Sequence, residues 1–252
     1  KFQDVTFTTA NSGYSGGFGH AATVEFTDSK IVGQYYAHSG AYHKFTNCTI
    51  DPLNGYLYTY ASDCDFINCD FVASQGKALQ VYEDASNGEN VVNIEDCRFV
   101  AAKHAATWDG KPVTGIDINS NGAKFTVNIT NCTTTGFPTG LNSGTDLWNV
   151  KNLNADITVF VDGENVYPGY VKVSDNEYNV YSAKGLQYFS ERAQNDVTLN
   201  IMKDIDFDNT QFKAISVAYG KSLTVNGNDH TIKNVKVVSG SNDNSTGQAS
   251  MF

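Results

Sequence analysis

Basic charge, proline, methionine and long apolar runs are all scarce in this sequence. Its 252 residues include 17 lysines and arginines against 27 aspartates and glutamates, giving a formal net charge of −10. A chain without a basic excess has little means of neutralising phosphates, so we expect no nucleic-acid partner. No run reaches the ~18 apolar residues that a spanning helix needs, so we expect no membrane insertion. With only 4 prolines and 2 methionines but 14 tyrosines and 15 phenylalanines, the composition indicates short strands joined by turns.

One six-residue pattern, hydrophobic–x–Asn/Asp–small–x–hydrophobic, recurs along the first 155 residues. Its copies are 2–7, 26–31, 45–50, 66–71, 94–99 and 129–134, with a weaker seventh at 150–155. The Asn/Asp positions advance by 24, 19, 21, 28, 35 and 21 residues. A period in the range of roughly 20 to 50 residues predicts a solenoid in which each repeat is one coil stacked on the last.

The slots of this pattern predict how each coil is built. Phe45 and Ile50 can both face inward only if the chain bends between them, and Asn47 tolerates the left-handed backbone of such a bend. We therefore expect stacked Asn and Asp side chains at one corner of a parallel β-helix. The next slot holds Cys48, Cys69, Cys97 and Cys132, or Ser29 or Val5 in other repeats. An odd count of five cysteines without a Cys-x-x-Cys motif favours buried free thiols; the alternative is a metal site or disulfides.

The pattern changes after Ala155. Residues 157–161 and 170–173 predict a hairpin or two-stranded link, and residues 183–193 are the one helix candidate. Strands are predicted at 197–201, 215–217 and 223–225.

This second part carries two motifs, Asp204-Ile205-Asp206-Phe207 and Gly227-Asn228-Asp229-His230-Thr231-Ile232. They resemble the opening of bacterial extracellular β-helix domains, although Asp229 stands where a glycine is usual. Residues 1–155 are similar to the interior of the right-handed parallel β-helix of the same broad group, which has the pectin-lyase-like fold.

The resemblance implies an all-β chain built on a right-handed, single-stranded parallel β-helix over 1–155. A β-rich linker at 156–180 would then lead to a short capping helix and strands at 181–252. We expect these to begin a second β-helix, so that the chain is part of a longer tandem array with a segment removed before Lys1. In the alternative, 181–252 is a cap on the first helix, whose open strand edges need covering.

Enzymes of this fold include pectate lyases and polygalacturonases. The hydrolases carry Asn-Thr-Asp, Asp-Asp, Gly-His-Gly and Arg-Ile-Lys motifs, and none of these is present here. The lyases need calcium-binding acids and an arginine or lysine base, and this chain has few arginines. We expect Arg98, inside a repeat, to point to solvent. The sequence therefore favours a protein without catalytic residues, and a polysaccharide lyase or glycoside hydrolase is the alternative.

Tyrosines supply the strongest candidate ligand-binding residues. Tyr56, Tyr58 and Tyr60 alternate along a strand and share one face, which is either an outward strip that stacks on sugar rings or part of the core. Tyr35 and Tyr36, one coil earlier, would extend the strip. Trp108, in a loop, is a further candidate contact or a loop anchor.

Acidic and histidine side chains give weaker candidates. Asp204, Asp206 and Asp208 alternate along an extended segment, and three carboxylates in a row would attract calcium, the only cofactor that we consider. For His20, His38 and His43 we expect a surface or loop position rather than a metal site.

These observations predict an extracellular or bacterial cell-surface protein that binds a glycan or a host or cell-surface protein, as an adhesin does. A carbohydrate-active enzyme and a purely structural spacer are the alternatives, because fold analogy alone is a weak guide to function.

Overall fold

The computed structural model describes residues 1–9, 17–18, 23–38, 40–75, 77–84, 89–102, 107–108, 111–141, 143–151, 157–190 and 194–238. Most of these residues lie in β-strands, and most strand pairs are parallel, which confirms the prediction of an all-β chain. The chain forms two compact units, 1–163 and 164–252. Trp108 lies in a described strand, but its side chain is outside the described part.

The first unit contains three parallel sheets, and in each sheet the strands follow one another in chain order. The first sheet holds β1 (Phe2–Gln3), β3 (Thr23–Thr27), β6 (Tyr42–Thr46), β9 (Cys64–Ile67), β12 (Asn90–Glu95), β17 (Phe125–Thr130) and β20 (Ile157–Val161). The second holds β2 (Thr6–Thr8), β4 (Lys30–Val32), β7 (Thr49–Asp51), β10 (Asp70–Ala73), β13 (Arg98–Ala101) and β18 (Thr133–Thr135). The third holds β5 (Tyr35–Ala37), β8 (Leu57–Tyr60), β11 (Leu79–Asp84), β16 (Ile116–Asn121) and β19 (Trp148–Val150).

From β3 onward the chain passes from the first sheet to the second and then to the third before it returns to the first, one strand further along. We call such a set of three strands a repeat. An antiparallel hairpin of β14 (Thr107–Trp108) and β15 (Lys111–Pro112) is inserted in one repeat, between β13 and β16. This inserted hairpin therefore accounts for part of the variable spacing of the sequence pattern.

The Asn/Asp slot forms the corner between the first and second sheets, as predicted. Asp28, Asn47, Asn68, Asp96 and Asn131 all have positive φ, between 49° and 53°. Their side chains join neighbouring repeats: the Asn68 amide donates to Asn47 Oδ1 at 2.8 Å, and the Asn47 amide donates to Asp28 Oδ1 at 2.9 Å. The bend lets the hydrophobic residues on both sides of it face inward, because Phe45 and Ile50 are both fully buried.

Two columns of side chains line the interior beside this corner. Phe26, Phe45 and Phe66 stack with ring centroids 5.5 and 5.1 Å apart, and we call them the phenylalanine column. The cysteine column follows the Asn/Asp slot and consists of Cys48, Cys69, Cys97 and Cys132. These are free thiols, the first three of them buried, so the prediction of a packed thiol column is confirmed.

The second unit begins with β21 (Glu164–Tyr167), the antiparallel hairpin of β22 (Tyr170–Ser174) and β23 (Glu177–Val180), and α1 (Ala183–Ser190). Parallel pairs follow. They join β24 (Val197–Ile201) to β27 (Leu223–Asn226), β25 (Ile205–Asp206) to β28 (Ile232–Lys233), and β26 (Gln211–Lys213) to β29 (Lys236–Val238). Leu186 and Phe189 of α1 are buried in the core of this unit.

Two sequence-based assignments need correction here. Residues 170–173 were expected to pair with 157–161, but β22 pairs with β23, and β20 extends the first sheet beside β17. The close sequence separation of β22 and β23 explains this choice, because a two-residue connection closes the hairpin. Residues 215–217 form no strand; Val217 makes one isolated bridge with Gln194. Among the described residues, no helix has the length and apolar character to cross a bilayer.

Candidate functional site

The third sheet of the first unit turns a row of tyrosines outward. In β8, Leu57 and Thr59 face the interior and are fully buried, whereas Tyr58 and Tyr60 are half-buried on the opposite face. This alternation is what a strand with one face in the core requires. Register places Tyr58 beside Tyr36 of β5.

Four rings on this face contact one another across three neighbouring strands. The centroids of Tyr36 and Tyr58 are 4.8 Å apart, those of Tyr58 and Tyr82 are 5.6 Å apart, and those of Tyr60 and Tyr82 are 5.8 Å apart. We call Tyr36, Tyr58, Tyr60 and Tyr82 the tyrosine surface. The ring of His38 lies 5.6 Å from both Tyr36 and Tyr60. Parallel sheet register thus produces an aromatic array along the axis of strand stacking.

Polar side chains continue the same rows beyond the rings. Gln80 of β11 is aligned with Tyr58, and Asp117 of β16 is aligned with Gln80. Asn149 of β19 follows Asp117, and Asn119 follows Tyr82. An extended ligand lying across these strands would therefore meet aromatic rings first and then the half-buried amides of Gln80, Asn119 and Asn149.

Asp117 is the centre of a compact polar cluster at this end of the face. Its side chain is 1% exposed and lies 3.0 Å from Lys151 Nζ. Tyr56 Oη donates to Asp117 Oδ2 at 3.2 Å, and the backbone N–H and hydroxyl of Thr114 each reach Oδ1 at 3.3 Å. Lys77, itself buried, places its Nζ 4.3 Å from the centre of the Tyr56 ring. The carboxyl group thus has Lys151, Tyr56 and the Thr114 backbone N–H as donors, while the Thr114 hydroxyl also reaches Ile116 O at 2.9 Å.

Burial raises the pKa of Asp117 above its ordinary value, and the charge of Lys151 and the hydrogen bonds to the carboxylate oppose that rise. A buried carboxyl group with a specific cationic partner is a common feature of functional sites, although structural ion pairs share it.

The predicted tyrosines fall into three environments. Tyr58 and Tyr60 are half-buried members of the tyrosine surface. Tyr36 was also expected to lie in an outward strip; it stacks on Tyr58 but is only 7% exposed. Tyr56 is 6% exposed and is engaged with Asp117, just before β8. Tyr35 was expected to extend the outward strip, and this is wrong: it is 0% exposed and donates to or accepts from His43 Nδ1 at 3.2 Å inside the unit. The reason is register, because Tyr35 is aligned with the inward Leu57.

The acidic candidates are engaged in turns. Asp204 accepts from the Thr231 backbone N–H at 2.9 Å, and Asp206 accepts from Asp208 N–H and the Asn234 amide, each at 2.9 Å. These bonds lower the pKa of Asp204 and of Asp206. Within the described ranges, no group of three or more His, Cys, Asp or Glu residues is placed to hold a metal ion, so the geometry lends calcium no support.

The expectation of a surface position for His43 is wrong, since it is fully buried in β6. His43 stands two residues before the inward Phe45, and strand alternation was the signal that could have placed it inside. His20 lies outside the described residues. Arg98 is exposed, as predicted, and its guanidinium bonds Asp70 at 2.9 and 3.0 Å.

Sequence reasoning missed Tyr82, Asp117 and Lys151. Tyr82 had a signal, because it follows Tyr60 by 22 residues, close to one repeat. Asp117 and Lys151 had none, since the pattern from which the register was inferred lies in the first and second sheets.

No family model, no curated protein and no solved structure matches this chain.

Proposed function

We propose that the first unit is a right-handed parallel β-helix and that its tyrosine surface binds a glycan. Three parallel sheets that the chain visits in a constant order support the helical path. Crossovers between parallel strands of one sheet are right-handed in nearly all proteins, which supports the handedness.

The observation that carries the proposed binding is the array of half-buried rings of Tyr58, Tyr60 and Tyr82, stacked beside the buried Tyr36, with polar groups in register next to it. The rings stack on one another, with interplanar angles of 14° for Tyr36 and Tyr58 and 11° for Tyr60 and Tyr82, so a glycan would contact mainly ring edges. Neighbouring amides would supply hydrogen bonds to its hydroxyl groups. Adjacent strands are about 4.8 Å apart, so the rings and the amides recur at regular intervals along the surface. Such a surface suits an extended, repeating ligand better than a single small molecule.

The proposed setting is extracellular or at a bacterial cell surface, where the protein would act in adhesion. This rests on the resemblance of the sequence motifs and on the acidic composition. Surface labelling of producing cells would test it, and a purely cytoplasmic signal would contradict it.

A glycan array followed by calorimetry on each hit tests the binding. Tyr58→Ala should weaken the affinity about tenfold or more, which corresponds to about 1.4 kcal/mol. Tyr58→Phe keeps the ring and should retain most of the affinity. Tyr219→Ala is a matched control, because Tyr219 is fully exposed in the second unit. The absence of any hit at millimolar glycan, with all variants folded, would instead favour a structural spacer.

A second candidate function is carbohydrate cleavage at Asp117. The buried carboxyl group with a raised pKa beside Tyr56 and Lys151 favours it, because general acid–base catalysis needs groups with shifted pKa values. The reaction class would be cleavage of a glycosidic bond. Release of reducing or unsaturated sugars from a polysaccharide panel, lost in Asp117→Asn, would support it; binding without products would reject it.

A further inference from the structure

The cysteine column ends at a thiol that solvent can reach. Cys48, Cys69 and Cys97 are buried, whereas Cys132 is half-buried. Cys132 directly precedes β18, which lies at the end of the second sheet and, in the described part of the chain, pairs with β13 alone. Cys132 is therefore the thiol of this column that a dissolved reagent meets first.

Cys97 and Cys132 occupy the same position in neighbouring repeats. The residues that follow them, Arg98 and Thr133, are aligned, and the Thr133 N–H donates to Cys97 O at 3.0 Å. Strands paired in this way lie about 4.8 Å apart, inside the range of roughly 4.4–6.8 Å that separates the Cα atoms of disulfides. Equivalent Cβ atoms are then roughly 0.5 Å further apart than an unstrained disulfide prefers. An edge strand with one partner can make that small shift more easily than an inner strand held on both sides.

The bonds that now hold the two sulfur atoms are weak. Cys97 Sγ donates to Glu95 O at 3.2 Å, and Cys132 Sγ donates to Thr130 O at 3.3 Å. A thiol is a poor donor, so rotating either side chain away from its carbonyl oxygen loses little. The neighbouring Cys97 thiol lowers the pKa of Cys132 by hydrogen bonding to its thiolate, and burial opposes this. The exposed end of the column therefore favours the thiolate, which is the reactive form of cysteine.

We propose that Cys132 is a site of thiol modification and that Cys97 resolves the adduct into a disulfide between neighbouring repeats. The Cys132 thiolate attacks one sulfur of a small-molecule disulfide, which forms a mixed disulfide and releases one small thiolate. That thiolate takes the Cys97 proton, and Cys97 Sγ then attacks Cys132 Sγ and releases the second small thiolate, which takes a proton from solvent. One external disulfide is thus reduced to two thiols while two protein thiols are oxidised to one S–S bond. Strain at this parallel position makes the bond easy to reduce again, as in regulatory disulfides. No residue of the tyrosine surface takes part, so this site stands independently of the proposed function.

Oxidised glutathione, added to the folded wild-type chain, tests both steps. After the remaining thiols are blocked with iodoacetamide, peptide mapping should find one cross-linked pair that contains Cys97 and Cys132. The intact chain, measured before blocking, should have lost the mass of two hydrogen atoms and kept no glutathione, and a dithiol reductant should reverse the change. A lasting glutathione adduct on Cys132, a bond between any other pair of cysteines, or no reaction would each overturn the proposal.

Three serine variants separate the roles of the thiols, with circular dichroism to show that each one is folded. Cys97→Ser removes the resolving thiol, so its Cys132 should keep one glutathione. Cys132→Ser removes the entry point and should form neither the adduct nor the disulfide. Cys64→Ser is the matched control, because Cys64 is a fully buried thiol in β9 outside the column, and it should react as the wild type does. A folded Cys132→Ser protein that still forms a disulfide, or a folded Cys97→Ser protein that keeps no glutathione, would contradict the proposal; if a variant does not fold, the mapping of the wild-type chain decides.

Discussion

Two of the three corners of the first unit are built from opposite chemistry. Where the first sheet leads to the second, the phenylalanine column stacks with ring centroids 5.1 to 5.5 Å apart, and the cysteine column lies beside it. Where the third sheet leads back to the first, Tyr35, His43, Thr59 and Glu83 bring polar atoms into an equally buried place. The Asn/Asp slot recurs at the first corner from repeat to repeat, whereas these four polar residues belong to three neighbouring repeats.

This difference shows which positions of a repeating fold can vary in residue type. The corner of the Asn/Asp slot needs a left-handed backbone in each repeat, so its residues are restricted. The opposite corner also contains left-handed residues, Gly40, Ala61 and Gly122, but it has no Asn/Asp slot and it varies in both length and polarity. The apolar corner should therefore be sensitive to lost volume, and the polar corner to pH.

The largest effect should come from the apolar corner. Phe66→Ala removes a fully buried ring that stacks on Phe45 and contacts Phe71 edge-on at 5.5 Å. We expect the free energy of unfolding to fall by about 3–5 kcal/mol, measured by urea denaturation. Phe160→Ala, on the half-buried outer face of β20, serves as control and should cost clearly less. If Phe66→Ala and Phe160→Ala lowered the free energy of unfolding equally, the phenylalanine column would not be part of the core.

The polar corner should make stability depend on pH, with a loss of about 2 kcal/mol as the pH rises from 6.5 to 8. Burial raises the pKa of Glu83 from 4.5 to about 8, so in this window the folded chain keeps a proton that the unfolded chain has lost. His43 acts oppositely and at lower pH, because its pKa falls from 6.5 to about 4. Denaturation at several pH values should show the loss in the wild type and its absence in Glu83→Gln. A Glu83→Gln protein with the same pH profile as the wild type would contradict this assignment.

Much of the apolar corner could be predicted from the sequence, and little of the polar corner could. The spacing of Phe26, Phe45 and Phe66 is a pattern with one residue type, and the Asn/Asp slot marks its bend. His43 and Glu83 occupy inward positions that strand alternation indicates, but their polarity argues for the surface. Burial overrides that tendency because the neighbouring strands supply hydrogen-bond partners, and no local pattern records those partners.

The candidate site shows the same division. Tyr58 and Tyr60 could be assigned to one face from their spacing within a strand, whereas the direction of that face depended on which residues between them were buried. Asp117 lies 61 residues from its partner Tyr56, so only the stacking of the repeats brings the two together. Contacts within a strand were therefore predictable, and contacts between repeats in the third sheet were not.

A smaller effect, about 1–2 kcal/mol, is expected from the backbone of the apolar corner. Asn68 has φ of 51°, and its amide donates to Asn47. Asn68→Ala loses this bond and also the tolerance for the left-handed conformation, whereas Asn68→Gly loses the bond alone. Chemical denaturation should therefore rank the wild type above the glycine variant and the glycine variant above the alanine variant. If the alanine variant were as stable as the glycine variant, the positive φ at residue 68 would not restrict the residue type at this corner.

The smallest change in the free energy of unfolding should come from replacing a thiol of the cysteine column with a hydroxyl group. Cys69 Sγ already donates to the carbonyl oxygens of Ile67 at 3.4 Å and Phe45 at 3.5 Å. Ser29 fills the same slot two repeats earlier in the stack, and its hydroxyl donates to Thr27 O at 2.7 Å. Cys69→Ser should therefore find its acceptors in place and cost less than about 1 kcal/mol of unfolding free energy, close to the net worth of one hydrogen bond. Cys69→Val has no donor for these carbonyls and adds a methyl group in a packed column, so it should cost more than the serine variant. The reverse order would mean that this corner, unlike the polar one, rejects a hydroxyl even where acceptors are present.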